Sequence, residues 1–162
     1  MNRRFFLLSL GLMAAGCTVG VGDLRFAPNS TLILTRHADR EGEDLTAKGE
    51  QRAAALVSAL DGVPLDGIYA PGIKRNLDTA APLAQARDMT VQRSPQEAPT
   101  GPLLRAAAGK TVLWVGNKGN LTTIWEDLAL PDPAPRDYGD LVFIRSEASG
   151  RITLDRRRYG PM

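Results

Sequence analysis

The chain has 162 residues, one histidine and one cysteine, with 20 lysines and arginines against 18 acids. A lone cysteine excludes an intrachain disulfide and a thiolate metal cage, and a lone histidine excludes the usual zinc sites, so no metal and no cofactor is expected. A net charge of +2 without interleaved aromatic and basic repeats gives no footprint for nucleic acid.

Residues 1–16 open with Arg3 and Arg4, continue through a short apolar stretch from Phe5 to Met13, and end on small residues before Cys17. That is the build of an export signal, too short for a permanent membrane helix. Ala14-Ala15-Gly16-Cys17 resembles a bacterial lipobox, which makes Cys17 the expected lipidation site; a buried or free thiol is the alternative. Arg3-Arg4-Phe5-Phe6-Leu7 also resembles a twin-arginine motif, so the Sec and twin-arginine routes both stay open. Residues 17–26 then read as a glycine-bearing tether, and residues 27–162 as one domain of about 135 residues, long enough for a real core. The expected location is the bacterial cell envelope, lipid-anchored and facing the periplasm. Removing Arg3 and Arg4 with the leader leaves 18 cations against 18 acids, so the apparent basicity belongs mostly to the leader. Arg156-Arg157-Arg158 remains as a basic run and reads as a solvated strand end.

Within the domain, Thr31 to Thr35 is short, branched and apolar behind Pro28 and Asn29, the pattern of a strand buried on both faces. Ala38 to Asp44 is a charged loop at its end. Thr46 is placed to cap a helix over residues 47–60, whose Ala53, Leu56, Val57 and Leu60 recur at helical spacing. Gly49 inside the first turn signals either close packing or tolerance. A second strand is expected over Leu65 to Ala70, then a helix carrying Leu77, Ala80, Ala81 and Ala84, which Pro82 should kink or restart because it cannot donate to the carbonyl of Asp78. Met89 to Gln92 suits an edge strand, and Ser94 to Pro102 a loop over the pocket. Thr111 to Val115 is a buried strand, Gly116 to Asn120 its turn, and Leu121, Ile124, Trp125 and Leu128 the apolar face of the next helix. Asp140 to Ile144 and Arg151 to Asp155 form a terminal β-hairpin. This order predicts an α/β fold, a three-layer α/β/α domain with a mostly parallel sheet.

Arg36, His37 and Arg40 fall just past the carboxyl end of the first strand, where ligands of open α/β sheets bind. Two permanently charged guanidiniums beside one imidazole suit a phosphate with a nucleophile in reach. Alone, such a short pattern would more often be a structural histidine between solvated arginines. Its surroundings change that. Leu34-Thr35-Arg36-His37-Ala38-x-Arg40, Leu45-Thr46-Ala47-Lys48-Gly49-Glu50-Gln51-Arg52-Ala53, Tyr69-Ala70-Pro71 and Arg75-x-x-x-Thr79-Ala80 occur in order, and together resemble the histidine phosphatase (phosphoglycerate mutase-like) superfamily.

The resemblance implies a phosphoglycerate mutase-like fold and a phosphomonoester hydrolase in which His37 takes the phosphoryl group as a phosphohistidine. Arg36, Arg40 and Arg75 match the arginines that hold the phosphate oxygens. The family's second histidine, in a Gly-His turn, is replaced here in Gly116-Asn117, and no other histidine exists to take its place. Asn117 can donate a neutral hydrogen bond but carries no charge and moves no proton. Lys118 is the candidate to supply the missing charge, and Glu97 the preferred leaving-group acid, with Asp39, Glu41 and Glu43 as alternatives. Weak or altered phosphatase activity is therefore the leading expectation; the alternative is a pseudophosphatase that binds a small phosphorylated molecule without turning it over. A mutase role is not expected of so short a chain, and no protein partner can be named.

Overall fold

The computed structural model describes residues 24–162; the expected signal segment 1–16, Cys17 and the tether up to residue 23 lie outside the described residues. The strands are β1 (Ser30–Arg36), β2 (Arg40–Glu41), β3 (Asp44–Leu45), β4 (Gly67–Ala70), β5 (Val91–Arg93), β6 (Thr111–Gly116), β7 (Asp140–Ser146) and β8 (Ile152–Arg158). The helices are α1 (Ala47–Ala59), α2 (Lys74–Ala86), α3 (Thr100–Ala106) and α4 (Lys118–Asp127).

Six strands form one sheet in the order β5-β4-β6-β1-β7-β8, and β2 pairs with β3 as a separate small ribbon. From β5 through β1 the neighbours run parallel; β7 and β8 continue the sheet antiparallel as the terminal hairpin. The alternation of side chains along β1 sorts the core into two layers. Leu32 and Leu34 face Leu103, Leu104, Leu121, Ile124 and Trp125 of α3 and α4. Ile33, one residue out of phase, faces Leu56 of α1, Leu60 at its C-cap, and Ala80, Leu83 and Ala84 of α2. Helices therefore cover both faces, and the domain is the three-layer α/β/α sandwich with a mostly parallel sheet that the element order predicts. Phe26 already packs against the α3 and α4 layer, so the fold starts before residue 27.

Three local expectations need correction. The helix α2 is continuous through Pro82 and does not restart there. Pro82 is only half-buried, so water can take up the carbonyl of Asp78 that it leaves unbonded, while Thr79, Ala80, Leu83 and Ala84 fix the helix from its buried side. Ser94 to Pro102 is not all loop, because Thr100 opens α3. Pro102 is the third residue of that helix, where an amide has no intrahelical partner to lose. The charged stretch after His37 is a tight ribbon, with Arg40 opposite Leu45 and Glu41 opposite Asp44.

The site is positioned by β1 and β6. They are adjacent and parallel with Arg36 opposite Gly116, yet α1 leaves β1 toward one face of the sheet and α4 leaves β6 toward the other. Such a switch point opens a crevice at the carboxyl ends of the strands.

Candidate active site

His37 is the first residue beyond β1, and its amide donates to the carbonyl of Gly116 at 2.9 Å. The imidazole is 3 % exposed. Its Nδ1 lies 2.9 Å from the carbonyl oxygen of Ala38, and since a carbonyl only accepts, Nδ1 carries the proton. In the neutral ring this leaves Nε2 with its lone pair free. Burial, opposed in part by the Ala38 hydrogen bond and reinforced by Arg36, Arg75 and Arg40, lowers the pKa of His37 from 6.5 to about 4. The ring is therefore neutral at pH 7.

Arg36 lies flat over the Tyr138 ring at 3.8 Å and donates through Nη1 to the carbonyl of Arg136 at 3.2 Å. Arg75, near the start of α2, is 15 % exposed and pairs with Glu43 at 2.5 Å. Among the described residues, the Nε atoms of both Arg36 and Arg75 are buried without a hydrogen-bond partner. Two buried guanidinium donors beside one imidazole suit the binding of an anion. Arg40 sits on β2, exposed, and donates to the carbonyl of Gly42 at 2.7 Å. It occupies the mouth of the site.

The loop that holds these groups is fixed by residues with no direct chemistry. Thr79 Oγ1 accepts from the amide of Ala38 at 2.8 Å and donates to the carbonyl of Arg75 at 2.7 Å, so one hydroxyl ties the histidine loop to the arginine helix. Asn76, fully buried, donates to the carbonyl of Val115 at 2.9 Å and joins the same helix to the end of β6. Gly49 settles the question left by its sequence context, since a Cβ there would lie 2.0 Å from the carbonyl oxygen of Asp39. Close packing of α1 against the histidine loop requires glycine. Arg52, 4 % exposed, then ties Asp39 at 2.6 Å to the C-terminal carbonyls of Tyr159 and Pro161, each at 2.8 Å. Burial pushes the Asp39 pKa up, but the Arg52 hydrogen bond, a backbone amide and nearby cations outweigh it and hold the carboxylate below its usual range.

Asn117 is the N-cap of α4, one residue past Gly116 and thus beside His37 at the neighbouring strand end. Its backbone N–H donates to Asn120 Oδ1 at 2.8 Å, which also accepts from Trp114 Nε1, while among the described residues its side-chain Oδ1 has no hydrogen-bond partner. Lys118 follows, exposed, as the first residue of the helix. Glu97 is exposed on the connection between β5 and α3 and joins none of these groups. The structure thus gathers Arg36, His37, Arg75 and Asn117, sets Arg40 and Lys118 at the rim, and leaves Glu97 apart. Sequence reasoning missed Tyr138 and Asn76. Asn76 stands next to Arg75 and was visible; Tyr138 lies in an aperiodic segment that only tertiary docking brings over the site.

Residues 29–96 match the model of the histidine phosphatase superfamily (branch 1). No curated protein matches the sequence. Among solved structures, the chain is similar to the Bacillus stearothermophilus protein YhfR at 20 % identity and a TM-score of 0.60, over 76 % of this chain and 94 % of that one. It is similar to the Shigella flexneri alpha-ribazole phosphatase at 16 % identity and a TM-score of 0.56, over 81 % and 96 % of the two chains. An Entamoeba histolytica phosphoserine phosphatase in complex with 3-phosphoglyceric acid is similar at 17 % identity and a TM-score of 0.57, over 82 % and 97 %. The match of residues 29–96, less than half of the chain, together with the shared fold makes the protein similar to the histidine phosphatase superfamily.

Proposed function

We propose that the protein is a phosphomonoester hydrolase acting through a phosphohistidine on His37, with turnover weakened by Asn117. The observation that carries this reading is the state of His37: Nδ1 bound to the Ala38 carbonyl, the ring neutral, Nε2 free, and the Nε donors of Arg36 and Arg75 open beside it. Phosphoryl transfer asks a protein mainly for positioning, charge neutralisation and an in-line nucleophile.

In the proposed step, the Nε2 lone pair attacks phosphorus, the bond from phosphorus to the leaving oxygen breaks, and that oxygen departs with the bonding electrons. Arg36, Arg75 and Arg40 neutralise the equatorial oxygens. Water then attacks the phosphohistidine and releases phosphate, returning the electron pair to Nε2. An alkyl leaving group needs a proton. Glu97 would reach it only if its exposed connection folded inward, and Glu43 is engaged with Arg75. The reading therefore favours activated phosphoesters over alkyl ones.

Asn117 favours a second reading, a pocket that holds a small phosphorylated molecule or phosphate without turning it over. Losing a preorganised charged donor costs about 100- to 1,000-fold in rate, part of which the neutral amide recovers. Lys118 at the rim is the one neighbouring cation on this turn. Lipidation of Cys17 and display in the envelope belong to the same proposal, drawn from residues outside the described part of the chain.

Hydrolysis of para-nitrophenyl phosphate, whose leaving group needs no acid, separates the readings. The phosphatase reading expects measurable turnover that vanishes in His37→Ala and rises at least about tenfold in Asn117→His, the smallest return expected from restoring that donor. Phosphate binding by calorimetry with no turnover in either the native protein or Asn117→His would favour the pocket without catalysis.

A further inference from the structure

A nucleophile that is 3 % exposed must be covered by something, and the covering group is identifiable. The Tyr138 ring meets the His37 imidazole in an edge-to-face arrangement, with ring centroids 5.8 Å apart and planes at 63°, and the Arg36 guanidinium lies over the Tyr138 ring at 3.8 Å. Tyr138 belongs to the segment joining α4 to β7, which packs through Ala134 in the α3 and α4 layer and brings Tyr138 beside His37 at the end of β1.

The backbone of that segment is held on both sides. On the active-site side Arg36 donates to the carbonyl of Arg136 at 3.2 Å. On the other, Arg158 donates to the carbonyl of Tyr138 at 3.0 Å, and Arg156 to the carbonyls of Pro133 and Pro131 at 2.6 and 3.0 Å. Gly139 follows at φ +85°, pressed so closely on Arg52 Nη1 and the Tyr159 carbonyl that a Cβ would stand 2.5 and 2.6 Å from them. With the chain pinned at 136, 138 and 139, the part free to move is the ring. It is only half-buried, among the described residues no hydrogen bond fixes its hydroxyl, and its contacts with Arg36 and His37 are non-covalent ones that a ligand can replace.

We propose that Tyr138 is a gate residue whose ring, standing over His37 and Arg36, decides how large a phosphoester reaches the imidazole. A phosphoryl group on a small leaving group fits beneath the ring; a bulky leaving group has to turn it aside. This selectivity rests on the phosphatase reading above, whereas the gating of His37 itself does not. Because Arg36 lies over the ring, Tyr138 also helps hold that guanidinium in place.

The lone histidine gives a direct readout. Diethyl pyrocarbonate acylates neutral imidazole, and the absorbance of the product near 240 nm can arise only from His37 in this chain. Since His37 is neutral at pH 7, its acylation rate there reports access and not protonation. Tyr138→Phe keeps the cover and should react within twofold of the native protein. Tyr138→Leu should react several-fold faster and Tyr138→Ala at least tenfold faster, in proteins whose far-ultraviolet circular dichroism matches the native one, and inorganic phosphate should protect all of them. Leu and Ala variants within twofold of native would overturn the proposal, and the Leu variant alone decides it if Tyr138→Ala does not fold. In parallel, KM for 1-naphthyl phosphate should fall in Tyr138→Ala while KM for acetyl phosphate does not. A graded acylation order without turnover in any variant would uphold the gate and reject the phosphatase reading.

Discussion

At the scale of the residue, the account depends on one imidazole kept neutral by burial. The unfolded chain presents a histidine of pKa 6.5, whereas the folded chain lowers it to about 4. Between those values the unfolded state takes up a proton that the native state refuses, so stability rises with pH across the window and is lost as pH falls through it. The loss approaches on the order of 3 kcal/mol near pH 4 at the 1.4 kcal/mol per unit that links pKa to free energy. Urea midpoints of the native protein and His37→Gln should therefore converge or cross as pH is lowered from 7 to 4, with the native protein falling further. Parallel pH dependence in the two would show that burial does not hold the imidazole neutral.

At the scale of the element, α1 and the histidine loop fit only because Gly49 has no side chain. Gly49→Ala should cost about 3 kcal/mol, the upper end of overpacking, because the obstruction is the Asp39 carbonyl and not a flexible side chain. Thermal unfolding measures it, and a change under about 0.5 kcal/mol, the range of neutral surface substitutions, would contradict the packing. The elements themselves were largely legible. Residues 31–35 and 111–115 are branched and apolar enough to be read as buried strands, and the two alternating runs around Ser146 to Gly150 as a hairpin. α3 was not legible, since seven residues opening Thr100-Gly101-Pro102 carry the marks of a turn and owe their helix to tertiary contacts such as Thr100 to Asp127. Pro82 does not end α2, because packing on one side of the helix outweighs one missing hydrogen bond.

At the scale of the whole molecule, residues far apart in the chain converge at the carboxyl ends of β1 and β6. His37 and the arginines were found because their types and spacing carry chemistry. Tyr138 was not, because its position over His37 depends on how an aperiodic segment docks across the sheet. Arg52 shows the same limit: the sequence places it only within the motif that opens the first helix, yet it joins Asp39, two residues from His37, to the last turns of the chain. Removing it leaves a carboxylate and two carbonyls without their partner, so Arg52→Met should destabilise the fold by about 3–5 kcal/mol, as breaking a buried ion pair does. Denaturant unfolding checks this, and near-native stability would show that the C-terminus is held by other contacts.

The central claim is that His37 accepts a phosphoryl group. The measurement that tests it most directly is incubation of the protein with phosphoramidate, a donor with a small neutral leaving group, followed by mass spectrometry of the intact chain before and after mild acid. Phosphohistidine is acid-labile, and this chain has one histidine on which to form it. The account predicts one acid-labile phosphoryl group that is absent from His37→Ala and accumulates because Asn117 slows its hydrolysis. A chain that stays unmodified, or a label that persists in His37→Ala, would contradict it.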